Sequence, residues 1–153
     1  MNRVLVAVDG AKGSRACVEA CVRLFAGRQP PTLILLHVLR YGGPSAADGL
    51  SIDAELAELR EALEGTPQLE ALKAKAEAAL ANQRALFEEH GFRDLHSVIK
   101  SGRAAEGILN GAVEHKAELI VIGNTRSLID KLMLGDVAQQ VANGAAVPVL
   151  LAR

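Results

Sequence analysis

Aromatic residues are scarce: 3% of the chain, with three Phe, one Tyr and no Trp. With half of the 153 residues hydrophobic, the core must be built from Ala, Val, Leu and Ile. Net charge is nearly absent as well, at −1, so no electrostatic pull toward nucleic acid or an anionic membrane is expected. No apolar run is long enough to span a bilayer, and the chain enters a strand-like run at Val4 with no basic segment and h-region before it. These features predict a cytoplasmic protein with no membrane insertion. Cysteine is limited to Cys17 and Cys21. Two thiols one helical turn apart, with no His or acid beside them, make a poor metal site and read as small buried hydrophobes. No metal site is predicted.

What is present is an alternation of apolar runs and helical patterns. Arg3 to Val8 is a Val-rich run that stops at Asp9-Gly10. Ser14 is placed as the N-cap of a helix with Cys17, Val18, Cys21, Val22 and Phe25 inward, ending at Gly27. Thr32 to Val38 is continuously apolar, which predicts burial on both faces. Between about 41 and 67 the pattern loosens. That segment holds a Gly/Ala/Ser loop and a short amphipathic stretch, 52–64, whose acids Asp53, Glu55, Glu58, Glu61 and Glu64 read as a solvated face.

A long helix is predicted from about Gln68 to His90, with Leu69, Leu72, Ala76, Ala79, Leu80, Gln83, Leu86 and Phe87 on one stripe and Gly91 as its stop. Asp94 to Lys100 alternates, as a more exposed strand does. Ala104 to Lys116 reads as a helix with Ile108, Leu109, Ala112 and Val113 inward. Leu119 to Ile122, Asp136 to Asn143 and Val147 to Leu151 follow as strand, helix and strand. With right-handed crossovers this alternation gives an α/β fold, a single domain over 1–153 with an open parallel five-stranded sheet and helices on both faces. The segment at about 41–67 is a variable acidic insertion within it.

In such a sheet a ligand crevice lies beyond the carboxyl ends of the strands. The candidate binding residues are therefore Asp9 and Gly10 after the first strand, Val38 at the end of the second, and Gly102 and Arg103 after the third. Gly123, Asn124 and Arg126 follow the fourth, and Gly135, Asp136 and Val137 open the last helix. A strand ending in glycine and a helix opening at glycine let backbone N–H groups approach an anion. Asp9 beside Gly10 reads either as a ligand-binding acid, accepting from an adenine amino group or a ribose hydroxyl or helping to hold a divalent cation, or as a plain turn residue. The four histidines fall on separate elements and assemble no catalytic set with a Ser or Cys, so no catalytic residue is predicted.

In order along the chain, VAVDG, LLHVL, SGRAAEGIL and LGDVAQQV…VPVLLAR resemble the universal stress protein family over nearly the whole length. The resemblance implies strand order 3-2-1-4-5, dimerisation through the last strand, and ATP binding in those members that carry Gly-x2-Gly-x9-Gly-Ser/Thr. Here Gly123 and Gly135 match the first and third glycines. Arg126 stands at the second, eight residues rather than nine separate it from Gly135, and Asp136 replaces the hydroxyl. A carboxylate only accepts hydrogen bonds. Two unit charges about 4 Å apart repel by about 1 kcal/mol in water and about 4 kcal/mol at a partly buried site. A helix N-terminus returns only about 0.3–1 kcal/mol.

The resemblance implies a homodimeric regulatory or stress-response protein that acts through binding to an unidentified protein partner, and the departures predict weak or no ATP binding. The alternative is an ATP- or AMP-binding switch, or slow ATPase, in which Arg126 and Mg²⁺ replace the lost groups. Val147, Val149 and Leu151 are the predicted dimer edge, since an apolar edge strand invites pairing. A phosphoacceptor receiver domain is rejected for want of an acidic cluster after the first strand, and a flavodoxin for want of a hydroxyl-rich loop there.

Overall fold

A computed structural model describes residues 2–8, 13–39, 67–123 and 135–152, without the side chains of residues 13, 14, 135 and 136. The predicted acidic helix at 52–64 lies outside the described residues, as does most of the segment 41–67. The elements are β1 (Arg3–Ala7), α1 (Gly13–Leu24), β2 (Thr32–Leu39), α2 (Pro67–Glu89), β3 (Leu95–Ser101), α3 (Ala104–Glu114), β4 (Leu119–Gly123), α4 (Gly135–Gly144) and β5 (Val149–Ala152). All five strands are parallel, in the order β3-β2-β1-β4-β5.

The runs in β1, β2 and β4 are apolar on both faces because both faces are covered. Val4, Val6, Leu33, Leu35, Leu119 and Val121 meet Cys17, Val18 and Cys21 of α1 and Leu80 and Phe87 of α2. Leu5, Ile34, Leu36, Ile120 and Ile122 meet Ala105, Ile108 and Ala112 of α3 and Ala138 and Val141 of α4. Each fully buried aliphatic chain contributes about 1.5–3 kcal/mol from removal of apolar area from water. With so few aromatics, one ring cluster stands out: Phe92 packs edge-on against both Phe25 and Phe87, at 6.5 and 5.2 Å between centroids. It closes the end of the sheet where α1 and α2 finish.

Four expectations need correction. α1 begins at Gly13, so Ser14 lies in its first turn rather than at its cap; cap residues inferred from sequence are uncertain by a residue or two. Leu72, predicted inward, is 39% exposed. It sits with Ala79 and Leu86 on the flank of a stripe centred on Leu69, Ala76, Leu80, Gln83 and Phe87. Val113, also predicted inward, is 76% exposed, because α3 buries Ala105, Gly107, Ile108, Gly111 and Ala112 instead. A Cβ on Gly111 would run into a methyl of Leu36, so the helix lies closer to the sheet than any side chain there would allow. The last strand starts after Pro148, whose carbonyl accepts the Ile120 N–H at 3.0 Å. Val147 therefore stands ahead of β5, half-buried.

Neither cysteine is in a disulfide, and both are buried. Burial, and then the neighbouring Cys17, push the Cys21 thiol up to about 12 from 9.0. Thiolates are the reactive species, so neither cysteine should react with a thiol reagent in the native state, and both should react after denaturation. Because the folded value lies above the unfolded one, the contribution of Cys21 to stability is complete below pH 9. It should fall as pH rises from about 9 toward 12. Denaturant titrations across that window check the sign.

Candidate functional site

The winding direction reverses at β1. β2 and β3 lie to one side of it, β4 and β5 to the other, so the crevice expected of this topology opens between the carboxyl ends of β1 and β4. Adjacent strands are about 4.8 Å apart. The exits of β2 and β4, which flank β1, are therefore separated by roughly 10 Å.

The wall on the β2 side is built closely. Val8 N–H donates to the Leu36 carbonyl at 2.8 Å, one step beyond the last paired residue of β1. The imidazole of His37 reaches back to the Val8 carbonyl at 2.6 Å. Val38 is half-buried and its side chain seats on Gly107 of α3, where a Cβ would stand 2.7 Å from a Val38 methyl. After β3 the chain turns at Gly102, whose N–H donates to the Leu39 carbonyl at 2.9 Å. Its φ of +124° is open only to glycine among unstrained residues. Arg103 follows as the N-cap of α3 with extended backbone and no side-chain cap bond. Its carbonyl accepts the Gly107 N–H at 2.9 Å. Its guanidinium lies 3.8 Å from the Glu106 carboxylate and is one-third exposed, so a cation stands at the carboxyl edge near the start of a helix.

On the other side β4 ends at Gly123, which pairs with Ala152 of β5. α4 begins at Gly135, with Asp136 as its second residue and Val137 half-buried against the core. The start of α4 presents the partial positive charge of a helix N-terminus, and the residue after Gly135 there is an aspartate. The structure thus brings Val38, Gly102, Arg103, Gly123, Gly135 and Val137 to elements that line one edge of the sheet. Asp9, Gly10, Asn124 and Arg126 lie outside the described residues.

The histidines stay apart, as predicted. His37 is on β2. His90 donates to the Leu86 carbonyl at 2.8 Å, His96 lies 2.9 Å from Asp94, and His115 caps α3 with its carbonyl accepting from Arg3 Nε at 2.7 Å. Among the described residues no group of three or more His, Cys, Asp or Glu is placed to hold a metal. Nor is any described helix long and apolar enough to cross a membrane. Two contributors to the crevice wall escaped sequence reasoning: the ring of His37 and the glycine seat at Gly107. The pattern around His37 is that of any buried strand, and Gly107 carries no hydrophobic signal.

Comparison with known proteins agrees with this architecture. The model of the Universal stress protein family matches residues 1–153. The universal stress protein YxiE of Bacillus subtilis (strain 168) is 30% identical over 153 residues, which is 99% of this chain and 99% of that protein. A universal stress protein solved in complex with cAMP superposes with a TM-score of 0.67 at 21% identity, covering 99% of this chain and 96% of the other. The universal stress protein from Archaeoglobus fulgidus in complex with dAMP gives 0.63 at 19% identity, over 100% and 98%. A five-stranded parallel sheet in the order 3-2-1-4-5, packed between helices, and similarity along its full length together place the chain in the universal stress protein family.

Proposed function

We propose that this chain is a homodimeric regulatory protein that acts by binding, and that its crevice takes an adenine nucleotide with one phosphate in preference to a triphosphate. The observation that carries this reading is Asp136 as the second residue of α4. A phosphate chain running toward the start of α4 would approach an acidic residue at the sequence position where the family motif has Ser or Thr. A monophosphate carries less charge toward it, and the carboxylate already complements the helix start. The β1 and β2 exits, where the base and ribose would lie, keep their hydrogen-bonded frame. The relatives solved with cAMP and dAMP support a ligand of this size.

Pairing through β5 is supported by the contrast between the two sheet edges. β3 carries charge: Lys100 holds Glu114 at 2.7 Å, and His96 pairs with Asp94. Such pairs add little stability, but charge on an edge discourages strand addition. β5 is Val149, Leu150, Leu151 and Ala152, with no charge and with Leu151 43% exposed. Light scattering at micromolar concentration should give twice the chain mass, and Leu151→Lys should give the single mass without loss of the native fold. A monomeric wild type contradicts the pairing.

The nucleotide reading is tested by denaturing the purified protein and chromatographing the supernatant. AMP or a cyclic monophosphate is expected. Recovery of ATP with Mg²⁺ would favour the rival, in which Arg126 and the metal replace the second glycine and the hydroxyl of the family loop.

A further inference from the structure

His37 contributes a side-chain bond at the point where the strand ladder runs out. β1 and β2 pair up to Ala7 and Leu36, and Val8 N–H extends the ladder by one bond to the Leu36 carbonyl. The Val8 carbonyl is then held at 2.6 Å by the His37 ring through Nδ1. A carbonyl has no proton to give, so Nδ1 carries the hydrogen and the neutral ring is in the Nδ1–H tautomer. Both polar groups of the Val8 backbone are thus tied to β2.

Alternation along β2 sends residues 37 and 38 to opposite faces of the sheet. Val38 locks into the Gly107 seat on the α3 side. His37 faces the side of α1 and α2, together with Leu33 and Leu35. The exit of β2 is therefore gripped from both faces, and one grip extends to β1.

We infer that His37 is a positioning residue for the crevice: its Nδ1–H clamps the Val8 carbonyl to β2 and so fixes the end of β1 against β2, the side on which the base end of the ligand lies. This rests on the nucleotide reading above. Removing the clamp leaves the core intact and blurs the wall, which costs affinity through lost preorganisation.

The test compares wild type, His37→Leu and His37→Asn. Leu keeps apolar bulk and loses the donor. Asn places an amide nitrogen the same number of bonds from the backbone as Nδ1. By calorimetry with AMP, the Leu variant should bind roughly threefold to tenfold more weakly, the range for one hydrogen bond, and the Asn variant within about twofold of wild type. Nitrogen-15 spectra of the wild type at pH 8 should show the His37 ring protonated at Nδ1. Hydrogen exchange at Val8 and Val38 should quicken about tenfold or more in the Leu variant, with α2 and β3 unchanged, as for a local opening. Equal AMP affinity in the Leu variant, no rescue by Asn, or a ring protonated at Nε2 alone would overturn the clamp. A wild type that binds no adenine nucleotide overturns the functional reading instead, and the ring spectrum and the exchange at Val8 then decide the clamp by themselves.

Discussion

Asp136→Ser is expected to raise affinity for ATP by about tenfold to a hundredfold while leaving AMP affinity within a few-fold of wild type. The magnitude follows from the charge removed. At about 4 Å a carboxylate and one phosphate charge repel by about 1 kcal/mol in water and about 4 kcal/mol at an effective dielectric near 20. Each 1.4 kcal/mol is a factor of ten in binding. A triphosphate presents more charge than a monophosphate, so the gain should fall mainly on ATP. Serine also restores a hydroxyl that can donate to a phosphate oxygen and remains a good residue at a helix start. Because the repulsion is electrostatic, the wild type's discrimination against ATP should shrink as salt is added, whereas the variant's affinity ratio should change less. Titration calorimetry of both proteins with both nucleotides, at two salt concentrations, measures this. No gain for ATP would mean that the absent second glycine at Arg126, or the loop one residue short, is the real obstacle.

Gly111→Val should destabilise the protein by about 3 kcal/mol, at the upper end of the usual overpacking range. On the same helix, two residues on, Val113→Ala should stay within about 0.5 kcal/mol. The reason for the difference is where each residue faces. A Cβ at Gly111 collides with the Leu36 methyl and sits 3.4 Å from a Leu5 methyl, in the centre of the α3 face. Leu36 and Leu5 are buried and cannot both move aside. Val113 is three-quarters exposed and makes no such demand. For a chain of this length about 3 kcal/mol corresponds to a fall of roughly 6–12 °C in melting temperature. Thermal denaturation followed by circular dichroism would read both variants. Since α3 carries the Gly107 seat for Val38 and the N-cap Arg103, Gly111→Val should also weaken ligand binding, by displacing the β2 wall.

The same two residues show where sequence reasoning holds and where it stops. Continuous apolar runs at Val4 to Val8, Thr32 to Val38 and Leu119 to Ile122 mark the three central strands, because a strand buried on both faces has no room for alternation. β3 alternates because it is an edge. On α3 hydrophobic periodicity finds Ile108, Leu109 and Ala112 but misses the close face made by Gly107 and Gly111 and wrongly adds Val113. Glycine scores as neutral in any apolar pattern, and Val113 fills the gap in the pattern without filling the gap in space. At the site, Gly102 is legible as a turn residue, and the structure gives it the positive φ that such a turn needs. The ring of His37 is not legible, since a histidine inside an apolar strand reads the same whether it packs or clamps. Asp136 is legible as a departure from a motif. The start of α4 at Gly135 gives that departure a physical meaning, because it makes an acidic residue the second residue of a helix, where an anion would otherwise be favoured.

Equilibrium dialysis of the wild-type protein against AMP and against ATP with Mg²⁺, at one salt concentration, tests the central claim most directly. Measurable AMP binding is expected, with ATP weaker by about tenfold or more, the equivalent of about 1.4 kcal/mol or more. ATP bound as tightly as AMP, or more tightly, would contradict it.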